Sequence, residues 1–267
     1  MRFFFRRKIG PHHPESTAVN FEGVLSRASS VDPAPLASAM QAVGAAVAGA
    51  DNFGESSDER DLYHLIDRLA AGVEQSFPQS FCQAGCSSCC YYPVALFTIT
   101  YSEWSVIERY VETRWSETQR LDLEQRYRAR FSSFWRLIFT MIQRSFVGLL
   151  LTAPLLDRAR LPCPFLVNDR CSVYDARPYP CRSFGLFAVR ALGRQPKVYA
   201  CSAQGENLLD ALRAVKPQIQ LPVLNPLARR IRRLCRGPKL SLPIWIGIWL
   251  LRRERKTRGT AERHGVE

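Results

Sequence analysis

Four of the chain's nine cysteines fall inside the nine residues Cys82-Gln83-Ala84-Gly85-Cys86-Ser87-Ser88-Cys89-Cys90. Thiols packed this densely are poor core-fillers, because a core needs volume and a cysteine side chain is small. As thiolates they bind soft and borderline metals strongly. A second set, Cys163, Cys171, Cys181 and Cys201, is separated by gaps of seven, nine and nineteen residues. Such gaps are too wide for one local knuckle, so these sulfurs would have to close on the first cluster through space. The expectation is one metal-binding core of eight thiols, with Cys235 as a spare.

The first cluster reads C-x3-C-x2-C-C. On a helix, Cys82 and Cys86 would share a face. Cys86 and Cys89 have the two-residue spacing at which a turn brings two sulfurs onto one ion, and Gly85 permits the sharp backbone. Cys89 and Cys90 are adjacent and project differently, and a disulfide between neighbours would be strained. Four plus four thiolates allow two tetrahedral sites, or one cubane cluster with the other thiols outside it. Thiolate ligation leaves negative charge, which Arg170, Arg177, Arg182 and Arg190 are placed in sequence to offset.

Charge and compartment narrow the class. The formal net charge is +13, and twelve Lys/Arg against three acids lie between Arg229 and Glu267. The basic character therefore belongs mainly to the C-terminal end. The N-terminal Met1-Arg2-Phe3-Phe4-Phe5-Arg6-Arg7-Lys8 has no apolar run long enough for a signal peptide, and no stretch approaches the roughly 20 apolar residues of a membrane span. The expected setting is cytoplasmic and reducing, with peripheral membrane contact as an option. Clustered cysteines there are metal ligands more often than disulfides.

Along the chain, residues 1–58 read as a flexible tail. Its Ala37–Ala50 run is rich in alanine and glycine and has little to bury. Leu62, Leu65, Ile66, Leu69 and Val73 recur at helical spacing and predict an amphipathic helix ending before Pro78. Ser102 is the expected cap of a helix carrying Trp104, Ile107 and Val111, and a longer helix is predicted from about 117 to 151. Prolines break up residues 154–205. Short strands are expected at Phe165–Val167 and within Phe184–Val189, with Asn168-Asp169 as a turn. A helix resumes after Gly205, and another carries the arginine-rich face of 227–234. The fold class is thus mainly α with a few short β-strands around an irregular cysteine-rich core. Residues 59–205 form the metal-binding domain, with a helical insert at about 101–160, and 206–267 form a basic helical extension.

Cys82, Cys86, Cys89 and Cys90, followed by Cys163-Pro164-Phe165-Leu166, Cys171, Tyr174, Arg177-Pro178, Cys181-Arg182, Phe184 and Cys201, resemble the YkgJ-like cysteine-cluster family. Its domains are described as zinc- or iron-chelating, of the CxxCxxCC type. The resemblance covers Cys82 to Cys201, with a first gap of three residues where the family has two. It implies metal chelation by those eight cysteines, with Tyr174, Arg177, Pro178, Arg182 and Phe184 shaping the site. Flagellin lysine N-methylases look like distant relatives bearing the same cluster.

Three functions compete on these residues. The first is a metal-binding protein holding zinc, iron or an iron–sulfur cluster. The second is an iron–sulfur enzyme such as a protein methyltransferase, since C-x3-C-x2-C can leave one iron open for S-adenosylmethionine. Against it, the chain lacks the alternation of strands and helices that builds the usual barrel. The third is a binding module in which the basic residues within 229–263, with Trp245 and Trp249 at i,i+4, meet an anionic membrane surface or nucleic-acid phosphates. The simpler alternative to the third is an apolar helix docked on the core with a solvated basic end.

Overall fold

The computed structural model describes residues 32–54, 58–77, 90, 98–144, 162–184, 188–189, 197–198, 225–235 and 237–263, with side chains not described at 130, 132–144, 188–189, 197–198, 225–226 and 259–263. Among them the architecture is mainly α with short antiparallel strand pairs. No helix among the described residues is long and apolar enough to cross a membrane.

The first layer is a helical pair. Helix α1 (Ala34–Ala46) follows Pro33, and helix α2 (Leu62–Ser76) packs against it. Residues 34–50 thus depart from the expectation of a tail with little to bury: Leu36 and Val43 are buried in a core shared with Leu65, Ile66, Leu69 and Val73. Small residues make this possible. At Gly72 an added Cβ would lie 2.8 Å from the Ala39 Cβ, so the missing side chain lets the helices approach. The buried Ser76 hydroxyl accepts from the Leu36 amide at 2.9 Å, satisfying one of the orphan donors at the start of α1. Helix α2 starts where Asp61 caps it, Oδ1 accepting from Tyr63 N at 2.7 Å and His64 N at 3.4 Å. It ends at Ser76, ahead of Pro78, as its periodicity predicts.

The second layer is built on two strand–helix units joined by their strands. Strand β1 (Thr98–Thr100) runs directly into α3 (Tyr101–Arg114). Helix α4 (Glu117–Arg144) follows after Ser116. Near the C-terminus, helix α6 (Asn225–Leu234) precedes strand β6 (Lys239–Ser241), which runs into α7 (Leu242–Arg263). Strands β1 and β6 pair antiparallel, with Thr98 opposite Ser241 and Thr100 opposite Lys239. This pairing sets α3 beside α7, and the Trp104 and Trp245 rings stack with centroids 6.2 Å apart. Strands β2–β5 and helix α5 belong to the cysteine segment below.

Helix α7 is the docked helix of the simpler reading. Trp245 and Trp249 are each 2% exposed, Trp245 Nε1 donates to Ile99 O at 3.1 Å, and Trp249 Nε1 donates to Glu112 at 3.2 Å. The two indoles are spent inside the protein, so they are not a membrane-facing pair. The basic end of α7 folds back on acids: Arg253 pairs with Glu117, Glu254 with Arg128, and Arg252 approaches Glu108 at 3.9 Å. Tyr127 of α4 donates to Pro243 O at 2.9 Å, closing the layer.

One boundary differs from the sequence reading. The cap of α3 is Thr100 and not Ser102: Thr100 Oγ1 accepts from Glu103 N at 3.3 Å while Glu103 Oε2 accepts from Thr100 N at 2.9 Å. That is the reciprocal Thr-x-x-Glu capping box. Helix α4 is described to Arg144, and its expected continuation to 151 lies outside the described residues, as does the helix expected after Gly205.

Candidate metal centre

The cysteine segment starts from a backbone bond across 73 positions of sequence. Cys163 N donates to Cys90 O at 2.8 Å, which brings the last residue of the first cluster against the first residue of the second. From there a hairpin forms, with strand β2 (Leu166–Val167) pairing with β3 (Arg170–Cys171) and Leu166 opposite Cys171. The turn residues Asn168 and Asp169 have φ of 48° and 56°. Asn and Asp tolerate this left-handed conformation better than other residues with a Cβ, and two such residues in a row make the tight turn a two-residue hairpin needs.

The hairpin is plugged into the second core by Phe165, 1% exposed, whose ring meets Trp115 edge-on at 6.0 Å. Phe165 O accepts from Ser172 N at 2.9 Å and from Ser172 Oγ at 2.8 Å. Arg126 of α4 donates to Pro164 O at 2.7 Å. Cys163 and Cys171 are half-buried against this same core. The long helix that interrupts the cysteine pattern in sequence therefore braces the hairpin in space.

After β3 the chain makes a single 3-10 turn, Tyr174–Ala176, and then the short helix α5 (Tyr179–Ser183), with Pro178 as its N-cap. Cys181 sits inside α5, its amide donating to Pro178 O at 2.9 Å. Arg177 lies over the Tyr174 ring, Cζ 3.3 Å from the centroid, and its Nε donates to Tyr174 O at 2.8 Å. Pro178 is buried, and the half-buried Phe184 closes α5. Strands β4 (Ala188–Val189) and β5 (Lys197–Val198) pair antiparallel between Cys181 and Cys201.

Arg182 is used differently from the sequence expectation of a donor toward sulfur. It is 6% exposed, and three of its nitrogens donate to oxygen: Nε to Arg177 O at 2.7 Å, one terminal nitrogen to Asp67, the other to Asp175 O. Its guanidinium also lies over the Tyr63 ring, Cζ 4.5 Å from the centroid. Arg170 is exposed, and Arg190 lies outside the described residues.

Of the eight predicted ligands, Cys90, Cys163, Cys171 and Cys181 are described, all half-buried, and Cys90 and Cys163 are joined through their backbones. Cys82, Cys86, Cys89 and Cys201 lie outside the described residues. Among the described residues, no three His, Cys, Asp or Glu side chains stand close enough to hold a metal ion. Cys235 lies at the end of α6 against the first core, and burial pushes its thiol above the usual range.

Sequence reasoning missed Tyr63, Asp67 and Glu103. Glu103 is 4% exposed; besides Thr100, its Oε1 accepts from Tyr179 N at 3.1 Å and from the Tyr63 hydroxyl at 3.5 Å. It thereby ties β1, α2 and the start of α5 to one carboxyl. Its signal was present in sequence as Thr100-x-x-Glu103. Tyr63 and Asp67 had none, since both read as ordinary positions beside an apolar helical stripe.

Residues 81–202 match the family model CxxCxxCC, described as "Putative zinc- or iron-chelating domain". The match spans just under half of the chain and takes in all eight predicted ligands. Residues 81–202 are thus similar to this cysteine-cluster domain. No curated protein and no solved structure matches the chain.

Proposed function

We propose that the chain binds zinc or iron through Cys82, Cys86, Cys89, Cys90, Cys163, Cys171, Cys181 and Cys201. The observation that carries the reading is the Cys163–Cys90 backbone bond, which joins the two cysteine sets at the point where each begins or ends. The donor chemistry fits: half-buried sulfurs suit zinc, ferrous iron or an iron–sulfur cluster, and would exclude magnesium or calcium, which take oxygen ligands. Bound, such an ion would cross-link an irregular segment whose strands are two residues long. Structural zinc is worth about 10–16 kcal/mol apparent in small peptides, enough to decide whether such a segment folds. Tyr174, Arg177 and Pro178 pack the arm between Cys171 and Cys181. The test is single Cys→Ser substitution with metal content measured on the isolated protein. Cys90→Ser and Cys163→Ser lose metal, while Cys235→Ser retains it. Retention of full metal content by both of the first two variants would overturn the ligand assignment.

A second reading concerns an anionic partner, and α6 is what favours it. Arg229, Arg232 and Arg233 are exposed there, and none has a carboxylate partner among the described residues. Arg252 and Arg253 of α7, by contrast, are directed back onto acids. Salt-sensitive binding of anionic vesicles or single-stranded oligonucleotide, lost in the triple Arg→Gln variant of α6, would support this reading; binding unaffected by that variant would remove it.

A further inference from the structure

The firmest polar hold on the cysteine arm comes from a helix outside the matched segment. Arg182 directly follows Cys181, is buried, and reaches Asp67 while its plane covers Tyr63. Asp67 and Tyr63 are four residues apart on α2 and so share one face of it. A second line runs beside the first. The Tyr63 hydroxyl donates to Glu103, which also accepts from Tyr179 N at the start of α5. Helix α5 is thus tied to α2 on both sides of Cys181. Arg182 carries the bond onward, since Arg177 O and Asp175 O, in the loop between Cys171 and Cys181, accept from the same guanidinium.

We propose that Asp67 and Tyr63 are positioning residues for the metal centre, so that α2 sets the placement of the Cys171–Cys181 arm and metal uptake in turn tightens α2. The proposal rests on the reading that these cysteines hold a metal. A guanidinium offers its donors in a fixed plane. With Asp67 and Tyr63 fixing that plane, Asp175 O and Arg177 O are held in register, and with them the backbone leading to Cys181. Outer partners that orient ligands typically contribute 10- to 100-fold in metal affinity. The coupling is reciprocal: whatever α2 adds to metal affinity, bound metal returns to α2 as resistance to opening.

The experiment uses the full chain, with zinc(II) and, anaerobically, iron(II) as probes. Affinity is measured by competition with a chromophoric chelator for wild type, Asp67→Asn, Asp67→Glu and a control, Arg68→Gln. The control breaks the neighbouring exposed pair of α2 with Glu59. Hydrogen exchange of residues 62–76 is followed in wild type with and without metal. Asp67→Asn is expected to weaken binding about 10- to 100-fold at unchanged stoichiometry, Asp67→Glu to restore most of it, and Arg68→Gln to match wild type. Metal is expected to slow exchange in α2. Asp67→Asn within twofold of wild type, equal losses in Asp67→Asn and Arg68→Gln, or exchange in α2 indifferent to metal would each overturn the proposal while leaving metal binding intact. Wild type that takes up neither metal would defeat the metal reading, and this inference with it.

Discussion

Removing the Glu103 carboxyl should be among the most costly single changes in the chain that alter no large side chain. Glu103 is buried, and four donors converge on it: Thr100 N at 2.9 Å, Thr100 Oγ1 at 3.0 Å, Tyr179 N at 3.1 Å and, at the limit of bonding distance, the Tyr63 hydroxyl. In Glu103→Ala the two backbone amides lose their acceptor with little water to replace it. A buried donor left unsatisfied costs about 1–3 kcal/mol, and a lost helix cap typically about 1. Since the Thr100 amide belongs to both counts, the expected loss is about 3–5 kcal/mol. Glu103→Gln keeps one oxygen but turns an NH2 toward donors, so about 1–3 kcal/mol is expected. With a urea slope of about 2 kcal/mol/M, Glu103→Ala should move the midpoint down by about 1.5–2.5 M. Chemical denaturation of the three proteins side by side measures it. Glu103→Ala within about 0.5 kcal/mol of wild type, or less destabilised than Glu103→Gln, would refute the role assigned to this carboxyl.

Trp249→Ala should lower stability by about 3–5 kcal/mol, as expected for a buried aromatic truncated to a cavity; a thermal melt equal to wild type would mean α7 is not docked as described. Gly72→Ala should cost about 1–3 kcal/mol, because its Cβ would press on Ala39 and the α1 backbone; an unchanged denaturation midpoint would contradict the close approach of α1 and α2. Asn168→Val places a β-branched residue at φ 48° and should destabilise by about 1–2 kcal/mol, whereas Asn168→Gly should be neutral or better; the reverse order in a melt would contradict the turn. Alkaline pH should destabilise the fold. Burial holds the Tyr63, Tyr127 and Tyr179 phenols above their ordinary range, so above about pH 10 the unfolded chain binds fewer protons than the folded one and stability falls, by up to about 1.4 kcal/mol per pH unit for each phenol. A melting temperature flat from pH 9 to pH 11 would contradict it.

Elements with strong local signals were legible in the sequence. The stripe from Leu62 to Val73 gave α2 its extent, and Asn168-Asp169 marked the hairpin turn because few other residues accept a left-handed backbone. What sequence reasoning lost depended on partners distant along the chain. The Ala37–Ala50 run looked unable to bury anything, because its value lies in fitting closely against Gly72. Trp245 and Trp249 beside a basic run read equally as a surface or a core element, until the β1–β6 pairing placed α7 against α3. Arg182 was expected to donate toward sulfur, whereas its nitrogens reach oxygens, and nothing near it in sequence announces Asp67. For the proposed centre, the sequence supplied eight candidate ligands and a resemblance to a cysteine-cluster domain, and the described residues add the Cys90–Cys163 backbone contact.

The central claim is that thiols distant in sequence share a metal. Elemental analysis of wild-type protein, purified natively without added metal or chelator, is its most direct test. Zinc or iron at one or more equivalents per chain, released as the thiols become reactive to an alkylating reagent, is the predicted result. Folded protein carrying neither metal, with those thiols reactive from the outset, would contradict it.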